Sequence, residues 1–522
     1  MDIVKPGAKP YDRLLQGSRH RATRVPGRSL EEEADADRGR VLFSAPFRRL
    51  QNKAQVFSLE TNAAVRSRLS HSLEVSSIGR YIAQQSIKAF TPAELQELGI
   101  EEKERPLITF VETACLLHDL GNPPFGHFGE ISISDWFHVN VPELQPQGIG
   151  GSALELWQLH AKDFQHFDGN PQGFRIATRL QAQETHDLNG LNLTATTLAS
   201  TLKYPWPAVF IGKKSNDGKI KRKKQGYFGT EHDIFSWIKD CLGLQDHCRH
   251  PLAYLMEAAD DIAYCVSDIE DGIEKGLITA REFSEFIVEK GTKIKLFDDK
   301  QDQTDKTAIA SIQRSLEQLK NPEFQRPEDK KTVERLTPMQ DFRSGIIQFF
   351  AHRAGETFQR CQKEILQGQA GPLLSDGTAS PLLDALKAFA EKSLYSSSIV
   401  RHREITAHAV LSGLLDAYFS VMKSDRSRFN DSLSGKHRDA DGAPITRETS
   451  LIGRIGKKYH AVYKEALRLS DEEHKDDPGK VKVMEKVHRI QLIIDYITGM
   501  TDEFALQSYQ LFSGIHVNPY RT

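Results

Sequence analysis

Apolar positions recur along most of the chain at spacings of three and four residues, the pattern of helices that bury one face. Arg68–Gln84 carries Leu69, Leu73, Ile78, Tyr81 and Ile82 at this spacing. Phe110–Leu120 reads as a buried helix, stopped by Gly121-Asn122-Pro123-Pro124. Leu252–Val266 predicts another: at about 100° per residue, Leu252, Leu255, Ala259, Ala263 and Val266 form one buried stripe. Strand-like alternation and hairpin dipeptides are scarce, so the expected fold is predominantly α. Residues 1–40 are polar and arginine-rich and read as a loosely attached arm. Gln145–Ser152 and Gly212–Lys224 read as loops or insertions, the second holding Lys213, Lys214, Lys219, Lys221, Arg222, Lys223 and Lys224. Lys423–Ser450 is charged and reads as a long surface connection. There is no internal repeat and no low-complexity tract.

Composition narrows the class. The 522 residues are 39% hydrophobic and 27% charged, ordinary values for a globular protein of two or three domains or of one large core with insertions. A net charge of −2 provides no global basic field for nucleic acid, so any such contact needs a local patch. The N-terminus lacks the apolar run of a signal peptide, and no apolar stretch reads as long enough to span a bilayer. Five cysteines form no CxxC pair, which points to a reduced, cytoplasmic protein. Cys241, His247, Cys248 and His250 lie close together but match no structural zinc spacing. No glycine-rich phosphate loop follows a strand pattern.

The densest chemical text runs His118-Asp119-Leu120-Gly121-Asn122-Pro123-Pro124-Phe125-Gly126-His127-Phe128-Gly129-Glu130. An adjacent His-Asp at a helix end offers an imidazole nitrogen and a carboxylate oxygen, a mixed set that suits Mg²⁺, Mn²⁺ or Fe²⁺. Two ligands do not hold a catalytic ion, so other segments must contribute. His71 lies near the start of one amphipathic helix, and Asp260-Asp261 lies late in the chain. Asp260 sits at the edge of the buried stripe of its helix and Asp261 points away from it, which favours Asp260 as the ligand. Asp260, Tyr264 and Asp268 follow one another at i, i+4 and i+8, in one line along that helix. Taken singly, His71 reads as a packed structural histidine and the Asp pair as a solvated face. Glu184 and His186 are polar residues with nothing to recommend them. The ordered set of His71, His118-Asp119 and Asp260 is far more specific.

That order resembles the HD superfamily of metal-dependent phosphohydrolases, and within it the bacterial deoxyguanosine triphosphate triphosphohydrolases. The likeness extends to Arg48-Arg49-Leu50-Gln51, Ala54-Gln55-Val56-Phe57, Asn62-Ala63-Ala64-Val65-Arg66, Arg68-Leu69-Ser70-His71-Ser72, His166-Phe167-Asp168-Gly169-Asn170, Met256-Glu257-Ala258-Ala259-Asp260-Asp261 and Asp495-Tyr496-Ile497-Thr498-Gly499-Met500-Thr501-Asp502. The resemblance implies an HD-type helical fold with added helical segments and insertions. It implies an N-terminal arm over 1–40, an HD core over 41–275, and a helical region over 276–522 that completes the base pocket and the oligomer contacts.

The implied reaction cleaves dGTP, and other dNTPs in some measure, to deoxynucleoside and tripolyphosphate. His71, His118, Asp119 and Asp260 are implied to hold Mg²⁺ or Mn²⁺, which would polarise an α-phosphoryl oxygen and activate water. His127 is the implied general acid for the departing 5′-oxygen, with Glu130 orienting it. Asn170, Lys203, Tyr204 and Lys224 are implied at the triphosphate, and Gln55 and Val56 at the sugar. Tyr264 and Asp268 are implied at the 3′-hydroxyl, Tyr395 stacked on the base, and Glu404 reading guanine. A homo-oligomer, with a hexamer among the assemblies open to it, and single-stranded DNA as modulator are implied as partners, with no membrane. Two alternatives stay open: another HD nucleotide phosphohydrolase, and a non-catalytic nucleotide-sensing or DNA-binding assembly.

Overall fold

The computed structural model describes residues 9–23, 25–59, 62, 65–181, 190–213, 222–293, 303–320, 332–375, 377, 379–396 and 398–515. Glu184, His186, Ala63, Ala64 and residues 214–221 of the basic run lie outside them. No strand occurs among the described residues, only isolated bridges such as Ala54 with Ser67, and the fold is α as expected.

Two apolar cores hold the helices together. One is built around Arg68–Ala89, Glu104–Leu117, Pro251–Glu274 and Thr332–Arg360, and the other around His127–Leu144, Ser398–Lys423 and Pro478–Thr498. Both draw residues from either side of position 275. The Glu104–Leu117 helix joins them: Phe110, Val111, Ala114 and Cys115 face one core, and Leu116 and Leu117 the other. His118 follows directly at the end of this helix, on the seam between the cores.

Local chemistry sets these helices where the site needs them. Ser67 and Ser70 form a reciprocal cap that starts the Arg68–Ala89 helix and places His71 in its first turn. Gly79 allows that helix to lie close on Glu104–Leu117, because a Cβ there would come within 2.5 Å of Cys115 Sγ. Pro251 opens the long Pro251–Glu274 helix. Its predicted stripe of Leu252, Leu255, Ala259, Ala263 and Val266 is buried in full.

Three sequence expectations change. The described residues of the N-terminal stretch, 9–23 and 25–40, are packed rather than loosely attached: Tyr11 is fully buried, and the buried Arg19 side chain pairs with Glu33 and Asp37. The Lys423–Ser450 connection contains a helix, Arg426–Leu433, and the start of another, Thr446–Gly453. Arg428 bridges Asp439 and Glu448 across it, and Phe429 and Ile445 are buried beneath. Finally, Arg401–Lys423 is long and apolar enough to cross a membrane by length and composition. Its apolar face, including Val410, Leu414 and Tyr418, forms part of a core.

Candidate active site

His71, His118 and Asp260 converge from three packed helical segments. Their ligand atoms lie within 4.8 Å of one another, with His71 Nε2 at 3.4 Å and His118 Nε2 at 3.3 Å from Asp260 Oδ1. His118 Nδ1 lies 2.7 Å from the Cys115 carbonyl. Donation there fixes the tautomer and leaves the Nε2 lone pair facing the cluster. Both Nε2 atoms are buried and have no hydrogen-bond partner. Orphaned ring nitrogens beside a carboxylate are costly unless something fills the gap, and a divalent cation fits this donor set.

Asp119 lies at the edge of the cluster, its Oδ1 3.6 Å from His118 Nε2. Its oxygens accept from Arg68 Nη1 at 2.6 Å and Asn122 Nδ2 at 2.6 Å. Burial would raise its pKa, but His118 and Arg68 hold it near about 2. Lys203 Nζ binds the other oxygen of Asp260. Burial works against the Asp260 carboxylate, yet Lys203 and His118 keep its pKa well below the ordinary range. Burial depresses His118, and the charges of Asp119 and Asp260 more than offset it, so its pKa stands above the usual value.

The second half of the motif turns sharply. Phe125 has φ +63° and Gly126 φ +58°. The first is a conformation that costs a bulky residue on the order of 1–3 kcal/mol. At Gly126 a Cβ would sit 2.3 Å from Arg68 Nη2, so glycine leaves space for the guanidinium that binds Asp119. The turn delivers His127 as the first residue of the His127–Leu144 helix. Its side chain is 69% exposed, and its Nδ1 lies 2.9 Å from Glu130 Oε2. Glu130 is buried and accepts from the Gly169 amide at 2.7 Å. Burial would raise its pKa, but His127 and Lys224 hold it below the usual value.

Around these groups the structure brings most of the predicted residues together. Lys224 ends the basic run and is tied inward to Asp168 at 2.6 Å and to Glu130 at 3.7 Å. Asn170 donates from its backbone and side chain to Asp168 Oδ1. Tyr204 lies under the Arg249 guanidinium. Tyr264 stacks on Tyr395 with centroids 6.2 Å apart, and the Tyr395 hydroxyl donates to Asp268. Burial pushes the Asp268 pKa up to about 7, against that hydrogen bond. Val56 packs with Tyr395 around Phe57 and Leu394, and Gln55 Oε1 is buried without a partner. Glu404 is exposed on the Ser398–Lys423 helix, and no hydrogen bond or ion pair between described residues ties it to the cluster.

Comparison with known proteins fits this geometry. The HD domain family matches residues 68–144, the stretch that holds His71, His118, Asp119, His127 and Glu130. A probable deoxyguanosinetriphosphate triphosphohydrolase of Pseudomonas aeruginosa is 33% identical, covering 97% of each chain. The deoxyguanosinetriphosphate triphosphohydrolase of an Enterobacter species is 34% identical over 94% of this chain and 96% of its own. This chain belongs to the deoxyguanosinetriphosphate triphosphohydrolase family. The Yersinia enterocolitica member, 32% identical, spans 91% of this chain and 92% of its own length.

Within that family frame, some groups escaped the sequence reading. Arg68, one turn before His71, holds Asp119 with its guanidinium, a role its spacing does not announce. Asp168 joins Lys224 to Asn170. Lys53 donates to the Asn122 and Thr498 carbonyls, and Asp502 accepts from Ala54 and Phe125. No local spacing could have shown these last two, because their partners are distant in sequence.

Proposed function

We propose that this chain hydrolyses dGTP, and other dNTPs in some measure, to deoxynucleoside and tripolyphosphate. The carrying observation is the convergence of His71, His118 and Asp260 beside an exposed His127 backed by a buried Glu130, in a chain similar over nearly its whole length to named triphosphohydrolases.

His71, His118 and Asp260 would hold Mg²⁺ or Mn²⁺, with Asp119 as the fourth ligand at the edge. Such an ion supplies Lewis-acid polarisation of the α-phosphoryl group and activates water when bound. His127 donates from Nδ1 to Glu130 in our reading, leaving Nε2 to deliver a proton to the departing 5′-oxygen. The Glu130 carboxylate favours the charged imidazole that this step requires. Lys203, Lys224, Asn170 and Tyr204 meet the charge and oxygens of the triphosphate. Gln55 and Val56 border the sugar, and Tyr264 and Asp268 take its 3′ side, where a packed ring leaves no space for a 2′-hydroxyl. Tyr395 stacks on the base. Glu404 accepts from the N1–H and 2-amino group of guanine.

We also propose that the protein works in the cytoplasm as a homo-oligomer, with single-stranded DNA as a modulator acting on the basic run that ends at Lys224. Free cysteines throughout support the reducing compartment. Incubation with each dNTP and GTP, with Mn²⁺ or Mg²⁺, tests the reaction by its products. Tripolyphosphate and deoxynucleoside, lost with chelator and in His118→Ala, are expected. Pyrophosphate or orthophosphate would move the chain to another HD activity, and no turnover of any substrate would overturn the enzymatic reading.

A further inference from the structure

We propose that Asp502, near the C-terminal end of the chain, is a positioning residue for proton delivery by His127, with Lys53 as its partner. The proposal rests on the reading of His127 as the general acid.

Asp502 begins the Asp502–Phe512 helix, but the cap is supplied by Thr501, whose Oγ1 accepts from the Phe504 amide. The Asp502 carboxylate is therefore free for another task. It is buried at 3% exposure, and its two oxygens go to separate chain segments beside the His71–His118–Asp260 cluster. Oδ1 accepts from the Phe125 amide at 3.0 Å, and Oδ2 from the Ala54 amide at 3.2 Å. Ala54 precedes Gln55 and Val56. Phe125 opens the left-handed turn that ends at His127. Lys53 ties the same loop a second time, donating to the Asn122 carbonyl at 2.6 Å and the Thr498 carbonyl at 2.7 Å. Asn122 in turn donates to Asp119.

Two consecutive positive-φ residues do not hold themselves in place; the Phe125 ring is anchored in a core, and its amide needs an acceptor. A charge-assisted hydrogen bond at the amide of the strained residue is the means of holding it. Asp502 thereby fixes the direction from which His127 leaves the backbone, while the buried Glu130 fixes its ring. The step it serves is simple. Water bonds the α-phosphorus and releases a proton to solvent as the bond from phosphorus to the 5′-oxygen breaks, the 5′-oxygen takes the proton of His127 Nε2, and the neutral imidazole recovers a proton from solvent.

Asp502→Asn keeps the side-chain volume but turns an NH₂ towards one of the two amides. The decisive readout compares dGTP with the analogue that has sulphur in place of the 5′-bridging oxygen. A thiol has a pKa of about 8.5, so its thiolate leaves without protonation. The Mn²⁺-loaded full chain, D502N and His127→Ala are assayed on both substrates, with Mn²⁺ binding measured for each. D502N is expected to lower kcat on dGTP by about 10–100-fold, the scale of a misplaced catalytic group. On the sulphur analogue the loss should stay under about 3-fold, with Mn²⁺ affinity unchanged. Equal losses on both substrates in D502N, or a parallel loss of Mn²⁺ affinity, alongside a selective loss in H127A, would overturn the proposal alone. Equal losses in H127A would remove the acid reading and the proposal with it. If D502N does not fold, Asp502→Glu, which keeps the charge and shifts the carboxylate away from the Phe125 and Ala54 amides, carries the same comparison.

Discussion

The cluster of His71, His118 and Asp260 and the proposed base-reading region of Tyr395 and Glu404 are built from different material. His71, His118 and Asp260 come from helices that pack directly on one another, with ligand nitrogens that are buried and unpaired. Tyr395 ends a short π-helical stretch, Glu391–Tyr395, and Glu404 lies exposed on the next helix. In the first region three mutually packed helices bring the side chains together. The residues proposed to read the base stand on an irregular π-helical stretch, a common device at functional sites, and on an exposed helix face. Between the two stands Asp268, a buried carboxyl tied to Tyr395 and lying two turns along the helix from Asp260.

Substitutions should separate these ends by size of effect. Removing a ligand is the harshest: His118→Ala should abolish high-affinity Mn²⁺ binding and reduce turnover by roughly a thousand-fold or more, given that such an ion is worth several kcal/mol in the transition state. Calorimetric titration and product assay together would show it, and retained Mn²⁺ affinity would break the assignment. His127→Ala should cost about 10²–10⁴-fold in kcat while the Mn²⁺ isotherm stays unchanged. If the isotherm moved with kcat, the acid and the metal centre would not be separable parts.

The middle of the cleft makes a pH-dependent prediction. Folded Asp268 keeps its proton up to about pH 7, whereas an unfolded aspartate releases it near about 3.9. The folded state therefore binds more protons between those limits, and stability falls as pH rises through that window and levels off above it. Asp268→Asn should remove this decline, so Tm plotted against pH should be flatter for the variant between about pH 4 and 7. Parallel curves would mean that the carboxyl is ionised throughout. The smallest effect belongs to the base end. Glu404→Ala should change dGTP turnover by less than about tenfold, and act mainly on the ratio of dGTP to dATP in kcat/KM. An unchanged ratio would relocate guanine recognition.

The same contrast explains what could be read in advance. Helical phase distinguishes Asp260 from Asp261, and in the structure Asp260 meets both histidines while Asp261 pairs with Lys387. The His118–Glu130 run was legible because its geometry is local, a helix end, a turn and a new helix. Packing of the N-terminal residues was not legible, since the pairing of Arg19 with Glu33 and Asp37 looks in sequence like ordinary surface charge. Nor was the role of Lys53 and Asp502, which depends on the last helices folding back across the start of the cleft. Lys224 lay between these cases. A basic run suggests a solvated loop, and only the carboxylates of Asp168 and Glu130 draw its last lysine inward.

The most direct test of the central claim is turnover of dGTP with Mn²⁺ in water enriched in heavy oxygen, with the products separated and weighed by mass spectrometry. Attack at the α-phosphorus gives unlabelled deoxyguanosine and tripolyphosphate carrying one heavy oxygen, the result expected. Label in deoxyguanosine, or release of pyrophosphate or orthophosphate, would contradict it.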